Sequence, residues 1–263
     1  MRVLLVLIAV LGLVSCGGDS TPEPQIGRAI GGAGAPRFAD TDPHDWVGST
    51  LPWHYPVHGI DVSKYQGDID WRRVRASGVD FAYIKATEGG DHTDDRFQQN
   101  WAAAAAAGMP RGAYHFYYFC RTPAEQAAWF MTHVPRDRSA LPPVLDIEWN
   151  HQSRTCRRFP DPETVRAEAR SFLQLLTARY GKRPLVYTTV DFYRDNELWK
   201  LDGHHFWLRS VAGHPAEVYP GQPWAFWQYT ATGVVEGIDG PTDLNAFAGG
   251  RGQWAAWMAG GPS

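Results

Sequence analysis

The sequence predicts an α/β protein whose single domain is an irregular, TIM-like (β/α) barrel. Between residues 57 and 258, short apolar runs alternate with longer helical patterns. The apolar runs are continuous, which is typical of parallel strands that are buried on both faces. The helical patterns weaken toward the end of this region, so we expect an irregular barrel rather than a regular eightfold one.

The predicted strands are short and rich in aliphatic and aromatic residues. They are His58–Val62, Phe81–Ala86, Gly112–Phe119, Val144–Glu148, Leu185–Thr189, Phe206–Ser210 and Ala225–Tyr229.

Capping residues set the bounds of the predicted helices. Asp70 caps a helix that stops at Gly78, and a second helix runs over Asp95–Ala107. Thr122-Pro123-Ala124-Glu125 is a capping box with proline at the first helical position, and it opens a helix to about His133. The last helix opens at Asp161-Pro162 and ends at Tyr180-Gly181.

The first 15 residues predict a signal peptide, with Arg2 before an apolar stretch too short to span a bilayer. The stretch ends in Leu13-Val14-Ser15-Cys16, which resembles the lipobox of bacterial lipoproteins. We therefore expect an exported protein that is anchored by lipid on Cys16. Because Gly17 rather than Asp follows, the pattern indicates the outer membrane, facing the periplasm. An ordinary signal peptide remains the alternative.

Residues 16–56 predict a lipidated cysteine followed by a flexible linker that is rich in Gly, Pro, Ser, Thr and Asp. Within the linker, the stretch Arg37–Trp46 is less linker-like in composition, and we expect it to pack on the domain. The domain itself is assigned to 57–258 and a short tail to 259–263.

The formal net charge of −3 leaves no basic footprint, so nucleic acid is not an expected partner, and we expect a monomer. With Cys16 assigned to lipid, Cys120 and Cys156 remain. Both follow predicted strands, so an exported protein could join them in one disulfide, with two reduced thiols as the alternative.

The run Val144-Leu145-Asp146-Ile147-Glu148 ends a predicted strand with two carboxylates two residues apart. Residues so spaced on a strand point to the same face. Two carboxylates that share one space repel each other, so one tends to hold its proton while the other stays ionised. Acid-catalysed cleavage of a glycosidic bond requires that division of roles. Two solvated acids at a strand end are the alternative interpretation.

Further polar and aromatic residues fall at the carboxyl ends of the predicted strands, where barrel enzymes place their chemistry. Because parallel strands share that edge, we expect these residues to surround one site. They are Asp61, Lys85 with Glu88, Tyr114 with His115, Asp146 with Glu148, Tyr187, and Gln228.

Several motifs together resemble the glycoside hydrolase family 25 muramidases, the Chalaropsis-type lysozymes. They occur in family order across the whole predicted domain: His58-Gly59-Ile60-Asp61-Val62-Ser63, Gln66-Gly67, Ile69-Asp70-Trp71, Ile84-Lys85-Ala86-Thr87-Glu88-Gly89, Gly112-Ala113-Tyr114-His115-Phe116, Leu145-Asp146-Ile147-Glu148, Trp227-Gln228-Tyr229 and Asp243-Leu244-Asn245.

The resemblance implies an irregular β/α barrel that cleaves the β-1,4 bond between N-acetylmuramic acid and N-acetylglucosamine in peptidoglycan. It implies that Glu148 is the proton donor, with Asp146 and Asp61 beside it and Asp243 as a further acid of the cleft. Because muramic acid carries a 2-acetamido group, we favour a retaining, substrate-assisted route in which Asp146 orients that group.

Other residues are expected to bind the sugars. No cofactor and no metal is required by this chemistry. Tyr114, Tyr187 and Trp227 could instead be core side chains. Lys85 could pair with Glu88, and His115 could be a core histidine. The candidates for substrate binding are Tyr114, Tyr187, Trp227, Gln228 and Lys85.

Two other functions compete with this interpretation. The first is a non-catalytic lipoprotein that binds peptidoglycan, although such a protein has no need to keep four mutually repelling acids. The second is a hydrolase of chitin or a related polymer, but the longer acidic strand motif of common chitinases is missing, since Leu141, Pro142, Pro143 and Val144 precede Asp146. Remodelling of the cell's own wall and attack on a competitor's wall are not distinguished by the sequence.

Overall fold

The computed structural model describes residues 37–46 and 48–260. The predicted signal peptide and the lipidation of Cys16 lie outside these residues. The strands within them are β1 (Ala39–Asp40), β2 (His58–Val62), β3 (Phe81–Glu88), β4 (His92–Thr93), β5 (Arg111–Phe116), β6 (Val144–Asp146), β7 (Leu185–Thr188), β8 (His205–Arg209), β9 (Phe226–Val234) and β10 (Thr242–Phe247). The α-helices are α1 (Trp71–Ala76), α2 (Phe97–Ala106), α3 (Pro123–His133), α4 (Pro162–Tyr180), α5 (Val190–Asp195), α6 (Pro215–Val218) and α7 (Arg251–Gly260).

Eight of these strands close a barrel. The order around it is β9-β10-β2-β3-β5-β6-β7-β8, and β8 pairs back with β9. All neighbours are parallel except β10, which is antiparallel to both β9 and β2. The predicted irregular barrel is therefore confirmed. β10 was not predicted as a strand, because Asp243 and Asn245 interrupt its apolar residues.

Strict alternation along the strands separates two cores. Inward-facing side chains fill the barrel with large aromatic rings, among them Phe81, Tyr83, Trp207 and Phe226. Outward-facing side chains form a second, larger core together with the surrounding helices. At the amino ends of the strands, Trp254 and Trp257 of α7 pack against the inner core and close the barrel from below.

Two inward-facing glycines make room for the aromatic filling. A Cβ atom on Gly59 would lie 2.4 Å from the ring of Phe81. A Cβ atom on Gly112 would lie 2.2 Å from the ring of Tyr83. Both distances are far below van der Waals contact, so any larger residue would displace a buried ring.

The predicted caps are present at the helix ends. The Asp70 carboxylate accepts the backbone N–H groups of Arg72 and Arg73. The hydroxyl of Thr122 and the carboxylate of Glu125 form the reciprocal capping box of α3. The last predicted helix, α4, begins at Asp161-Pro162 and ends at Gly181, whose φ of 67° is the left-handed conformation that favours glycine.

Residues Arg37–Trp46, here called the N-terminal strap, lie against the barrel. Arg37 pairs with Asp80 at 3.0 Å, and β1 adds to β9 through Ala39 opposite Val234. The indole of Trp46 packs edge-on against Trp227 with ring centroids 5.3 Å apart. The segment predicted as a linker, 16–56, therefore contains residues that belong to the folded body.

A disulfide joins Cys120 and Cys156, whose Cα atoms are 5.7 Å apart. Cys120 lies in the loop after β5, and Cys156 lies in the loop after β6. Both loops leave the carboxyl ends of neighbouring strands, so the bridge ties together two loops on the same rim, as the sequence indicated.

No helix within residues 37–46 and 48–260 is both long enough and apolar enough to cross a membrane.

Candidate active site

The carboxyl ends of the barrel strands surround a cleft of about 520 Å³. Each strand contributes side chains from its inward-facing positions. These positions carry aromatic rings in the interior of the barrel and polar groups at the carboxyl ends of the strands. The residues predicted at this rim that line the cleft are Asp61, Lys85, Tyr114, Asp146, Glu148, Tyr187, Gln228 and Asp243.

Asp61 is fixed by two amide groups. Its Oδ2 accepts Nε2 of Gln228 at 3.0 Å and Nδ2 of Asn245 at 2.7 Å. The Asn245 amide cannot turn over, because its Oδ1 accepts the indole N–H of Trp207 at 2.7 Å, and an indole N–H only donates. Burial raises the pKa of Asp61 to about 6, while the two amide donors and the charge of Arg209 oppose that rise. These donors favour the ionised carboxylate.

Glu148 lies just beyond the end of β6, which stops at Asp146, two residues earlier than predicted. The chain stays extended there, since the N–H of Ile147 donates to the carbonyl of Tyr187 at 3.0 Å. Asp146 and Glu148 therefore still point to one side and both line the cleft.

The two carboxyl groups differ in exposure and in proton affinity. Burial raises the pKa of Glu148 to about 7, with Arg209 lowering it and Asp191 raising it. Burial and the charge of Glu148 raise the pKa of Asp146 well above its ordinary value. Among the described protein groups, none within hydrogen-bond distance satisfies the buried Oδ1 of Asp146. A proton is therefore available on Glu148 near neutral pH, and one buried oxygen of Asp146 lacks a partner among the described protein groups.

Asp243 stands opposite Asp61 across the β10–β2 ladder. Burial and the negative charge of Asp61 raise its pKa to about 8. The strand that carries Asp243 was not predicted, but the motif placed the residue correctly in the cleft.

Lys85 lines the cleft but is already paired. Its Nζ lies 2.6 Å from Oε2 of Glu88 and 4.8 Å from the ring centre of Phe116. Lys85 therefore both lines the cleft and forms the ion pair with Glu88 that was the alternative interpretation.

The comparison with known proteins agrees with this geometry. The model of the glycosyl hydrolases family 25 matches residues 60–238. The chain belongs to glycosyl hydrolase family 25. It is 39% identical over 204 residues to Lysozyme M1 of Streptomyces globisporus, covering 73% of this chain and 68% of that protein.

Solved structures of family 25 share the fold. The glycosyl hydrolase from Bacillus anthracis superposes with a TM-score of 0.73 at 33% identity, over 85% of this chain and 100% of that one. A bacterial lysozyme from Streptomyces coelicolor gives a TM-score of 0.68 at 35% identity, over 77% of this chain and 97% of that one. The chain is therefore a glycoside hydrolase, as the motifs indicated.

The prediction that Trp227 of this family 25 chain binds substrate is wrong. Trp227 is fully buried and does not line the cleft. Its neighbour Gln228 faces inward, so the alternation along β9 turns Trp227 outward. There its indole N–H donates to the carbonyl of Ser210 at 2.7 Å, and its ring packs against Trp46 of the strap.

His115 also faces away from the cleft. Its Nδ1 lies 2.8 Å from the hydroxyl of Thr87, its Nε2 lies 3.0 Å from Oε1 of Gln126, and its ring stacks on Phe172. Burial lowers its pKa to about 4. His115 is thus a core histidine with satisfied nitrogens, the alternative that the sequence left open.

The two tyrosines expected in the subsites do line the cleft. The hydroxyl of Tyr187 donates to Oε1 of Gln228 at 2.9 Å, so Tyr187 supports the amide that holds Asp61. Tyr114 is partly exposed to the cleft, and burial together with the charge of Asp61 raises its pKa.

Sequence reasoning missed several residues of the family 25 cleft. Arg209 is the last residue of β8 and faces inward, so the rule that located the predicted residues at strand ends applies to it as well. Tyr65 lies in a single turn of 3-10 helix, Lys64–Gln66, and Trp149 lies in a loop, so no strand period predicts the direction of either side chain. Within the described ranges, no group of His, Cys, Asp or Glu has an arrangement suited to a metal ion. The missed residues that line the cleft are Val62, Ser63, Tyr65, Gln66, Phe116, Trp149, Thr189, Asp191, Trp207 and Arg209.

Proposed function

We propose that this protein is a lysozyme, an N-acetylmuramidase that hydrolyses the β-1,4 bond between N-acetylmuramic acid and N-acetylglucosamine in peptidoglycan. The observation that carries the proposal is the pairing in one cleft of Glu148, which holds a proton near neutral pH, with Asp61, which is fixed as a carboxylate. A glycosidase needs one acid for the leaving oxygen and one negative charge for the oxocarbenium-like transition state.

In the first step, Glu148 transfers its proton to the glycosidic oxygen as the bond to the anomeric carbon breaks. The carbonyl oxygen of the sugar's own 2-acetamido group attacks the anomeric carbon and forms a cyclic oxazolinium ion. Asp146 accepts the acetamido N–H, which directs the carbonyl toward that carbon, and its buried Oδ1 has no partner among the described protein groups. The charge of Asp61 stabilises the positive ring.

In the second step, the Glu148 carboxylate removes a proton from water. The water oxygen attacks the anomeric carbon, the bond from that carbon to the acetamido oxygen breaks, and the 2-acetamido group is restored. Two inversions give net retention. An enzyme that used Asp61 or Asp243 to activate water directly would invert the configuration instead.

Peptidoglycan is favoured over other glycans by the relatives. Lysozyme M1 and the Streptomyces coelicolor lysozyme are named for that activity. A non-catalytic peptidoglycan-binding protein is the second candidate. It is disfavoured because four buried or partly buried acids, Asp61, Asp146, Glu148 and Asp243, would serve no purpose in it and cost stability.

Mass spectrometry of the products released from purified peptidoglycan tests the activity. We expect the unchanged chain to release muropeptides with muramic acid at the new reducing end, and Glu148→Gln to release none. Glu236→Gln, a change of an exposed glutamate outside the cleft, is the matched control and should keep full activity. No release by the unchanged chain, with the wall still bound, would establish the non-catalytic candidate.

The anomer of the first product distinguishes the routes. Proton NMR within the first minutes of hydrolysis should show the β anomer of muramic acid. An initial α anomer would exclude the substrate-assisted, retaining mechanism.

The place of action is also part of the proposal. Acylation of Cys16 would hold the enzyme in the cell envelope, at the outer membrane facing the periplasm. Labelling with a fatty-acid analogue should mark the protein, and Cys16→Ser should remove the label and release the protein from membranes. Equal labelling of both would contradict the anchor.

A further inference from the structure

A second cavity of about 490 Å³ adjoins the catalytic cleft. One wall is the N-terminal strap through Asp42–Asp45, and the opposite wall is β9 through Tyr229–Thr232. Arg209 lines both this cavity and the catalytic cleft. The strap precedes residue 60, where the family match begins, so this wall lies outside the part of the chain that the match covers.

Arg209 brings a positive charge to both the cleft and the second cavity. Lys85, the other basic residue of the cleft lining, is neutralised by Glu88 at 2.6 Å. Within the described residues, the Arg209 guanidinium has no ion pair within 4.0 Å. It does act at longer range, since its charge lowers the pKa values of Asp61 and Glu148. A partly exposed guanidinium of this kind is suited to a carbonyl or carboxylate oxygen of a ligand.

The wall formed by the N-terminal strap has the opposite charge. Asp42 and Asp45 of the strap are exposed. The hydroxyls of Thr230 and Thr232 on the facing strand are hydrogen-bonded to each other at 3.1 Å, and that of Thr232 also donates to Asp40 at 2.5 Å. The cavity therefore offers the guanidinium of Arg209, which it shares with the cleft, and the exposed carboxylates of the strap. Such a surface complements a short peptide that begins with a carbonyl group and carries an amino group further along.

We propose that this second cavity binds the lactyl group and stem peptide of the muramic acid residue at the cleavage site. The inference rests on the proposed function and names the part of the substrate that the catalytic acids do not touch. Arg209 receives the lactyl carbonyl oxygen, or the lactyl carboxylate where the peptide is absent. The strap and the outer end of β9 receive the peptide, whose side-chain amino group is attracted to Asp42 and Asp45. The strap is then part of the substrate site as well as a structural support.

The test compares two substrates with the full chain. One is peptidoglycan glycan with its stem peptides, and the other is the same glycan after an amidase has removed them. Ala231→Phe places a ring in the cavity from an exposed position of β9. Val234→Phe is the matched control, because Val234 is also exposed on β9 but does not line this cavity.

We expect Ala231→Phe to lower kcat/KM on the peptide-bearing glycan by at least about tenfold, the effect of losing one hydrogen bond to a charged group. Its activity on the stripped glycan should equal that of Val234→Phe. Replacing both Asp42 and Asp45 by asparagine should give a smaller loss in the same direction, which high salt should also produce in the unchanged chain.

The outcomes separate this inference from the proposed function. Cleavage of both glycans by Ala231→Phe at the rates of Val234→Phe would overturn the peptide site and leave the muramidase intact. Equal losses on both glycans would also overturn it, because the cavity would then hold sugar. Failure of the unchanged chain to cleave either glycan would refute the proposed function itself.

Discussion

Replacing Asn245 by leucine tests the role of the amide groups that hold Asp61. Leucine has the same number of side-chain heavy atoms as asparagine, branched at the same carbon, but it cannot donate a hydrogen bond. The change removes the shorter of the two hydrogen bonds to Oδ2 of Asp61, the one of 2.7 Å, and leaves that of Gln228. It also deprives the buried indole N–H of Trp207 of its acceptor.

The expected size follows from the chemistry of the bond. A hydrogen bond to a charged group contributes about 1.5–3 kcal/mol, and 1.36 kcal/mol corresponds to a change of one in pKa. The pKa of Asp61, now about 6, should therefore rise by about 1 to 2. The reaction needs the carboxylate, so the acid limb of kcat/KM should move to higher pH by the same amount. At pH 6 the rate should fall about tenfold.

The assay is the initial rate on soluble peptidoglycan fragments between pH 4 and pH 9. Asn100→Leu is the matched control, because Asn100 also accepts a buried tryptophan N–H, that of Trp71 at 3.2 Å, but lies outside the cleft. Both variants should lose about 1–3 kcal/mol in free energy of unfolding. Only Asn245→Leu should shift the acid limb. An acid limb that coincides with that of Asn100→Leu would refute the role given to the amides.

Three further predictions concern stability. The pKa of Asp243 is raised in the folded protein to about 8, so folding stability should fall as pH rises from 4 to 8. In urea titrations, the free energy of unfolding of Asp243→Asn should exceed that of the unchanged chain by at least about 1 kcal/mol at pH 9, and the two values should be equal at pH 3. Loss of the disulfide through Cys120→Ser with Cys156→Ser should cost about 4 kcal/mol, because the bridge closes a loop with a sequence separation of 36, and unchanged midpoints would contradict this. Gly112→Ala should cost about 1–3 kcal/mol, since its Cβ would meet the ring of Tyr83, and a neutral effect in denaturant would show that the ring can move.

Local periodicity explains why much of the site could be predicted. A strand places alternate residues on one face, and parallel strands bring their carboxyl ends to one rim. Asp61, Tyr187 and Gln228 were therefore found without any structure. The same rule, applied strictly, excludes Trp227, because it directly precedes Gln228 on β9 and must face the other way.

Other features depend on contacts between distant parts of the chain. Asn245 lies 184 residues from Asp61, and no local pattern links an amide on an unpredicted antiparallel strand to that carboxylate. Whether the charge of Arg209 is paired also depends on distant residues, because a strand end predicts the direction of a side chain but not its partners. Among residues 37–46 and 48–260, none forms an ion pair with it.

The sequence by itself predicted the barrel and its caps, because these depend on spacing along the chain. It allowed a disulfide between Cys120 and Cys156, with two reduced thiols as the alternative, and it identified the acids through the family motifs. The tertiary structure alone decided the proton affinities, which follow from burial and from charges on other strands. It also placed the N-terminal strap beside β9 and formed the second cavity at Arg209. Composition predicted the strap only as a stretch that packs somewhere on the domain, because the partner surface is almost two hundred residues away in sequence.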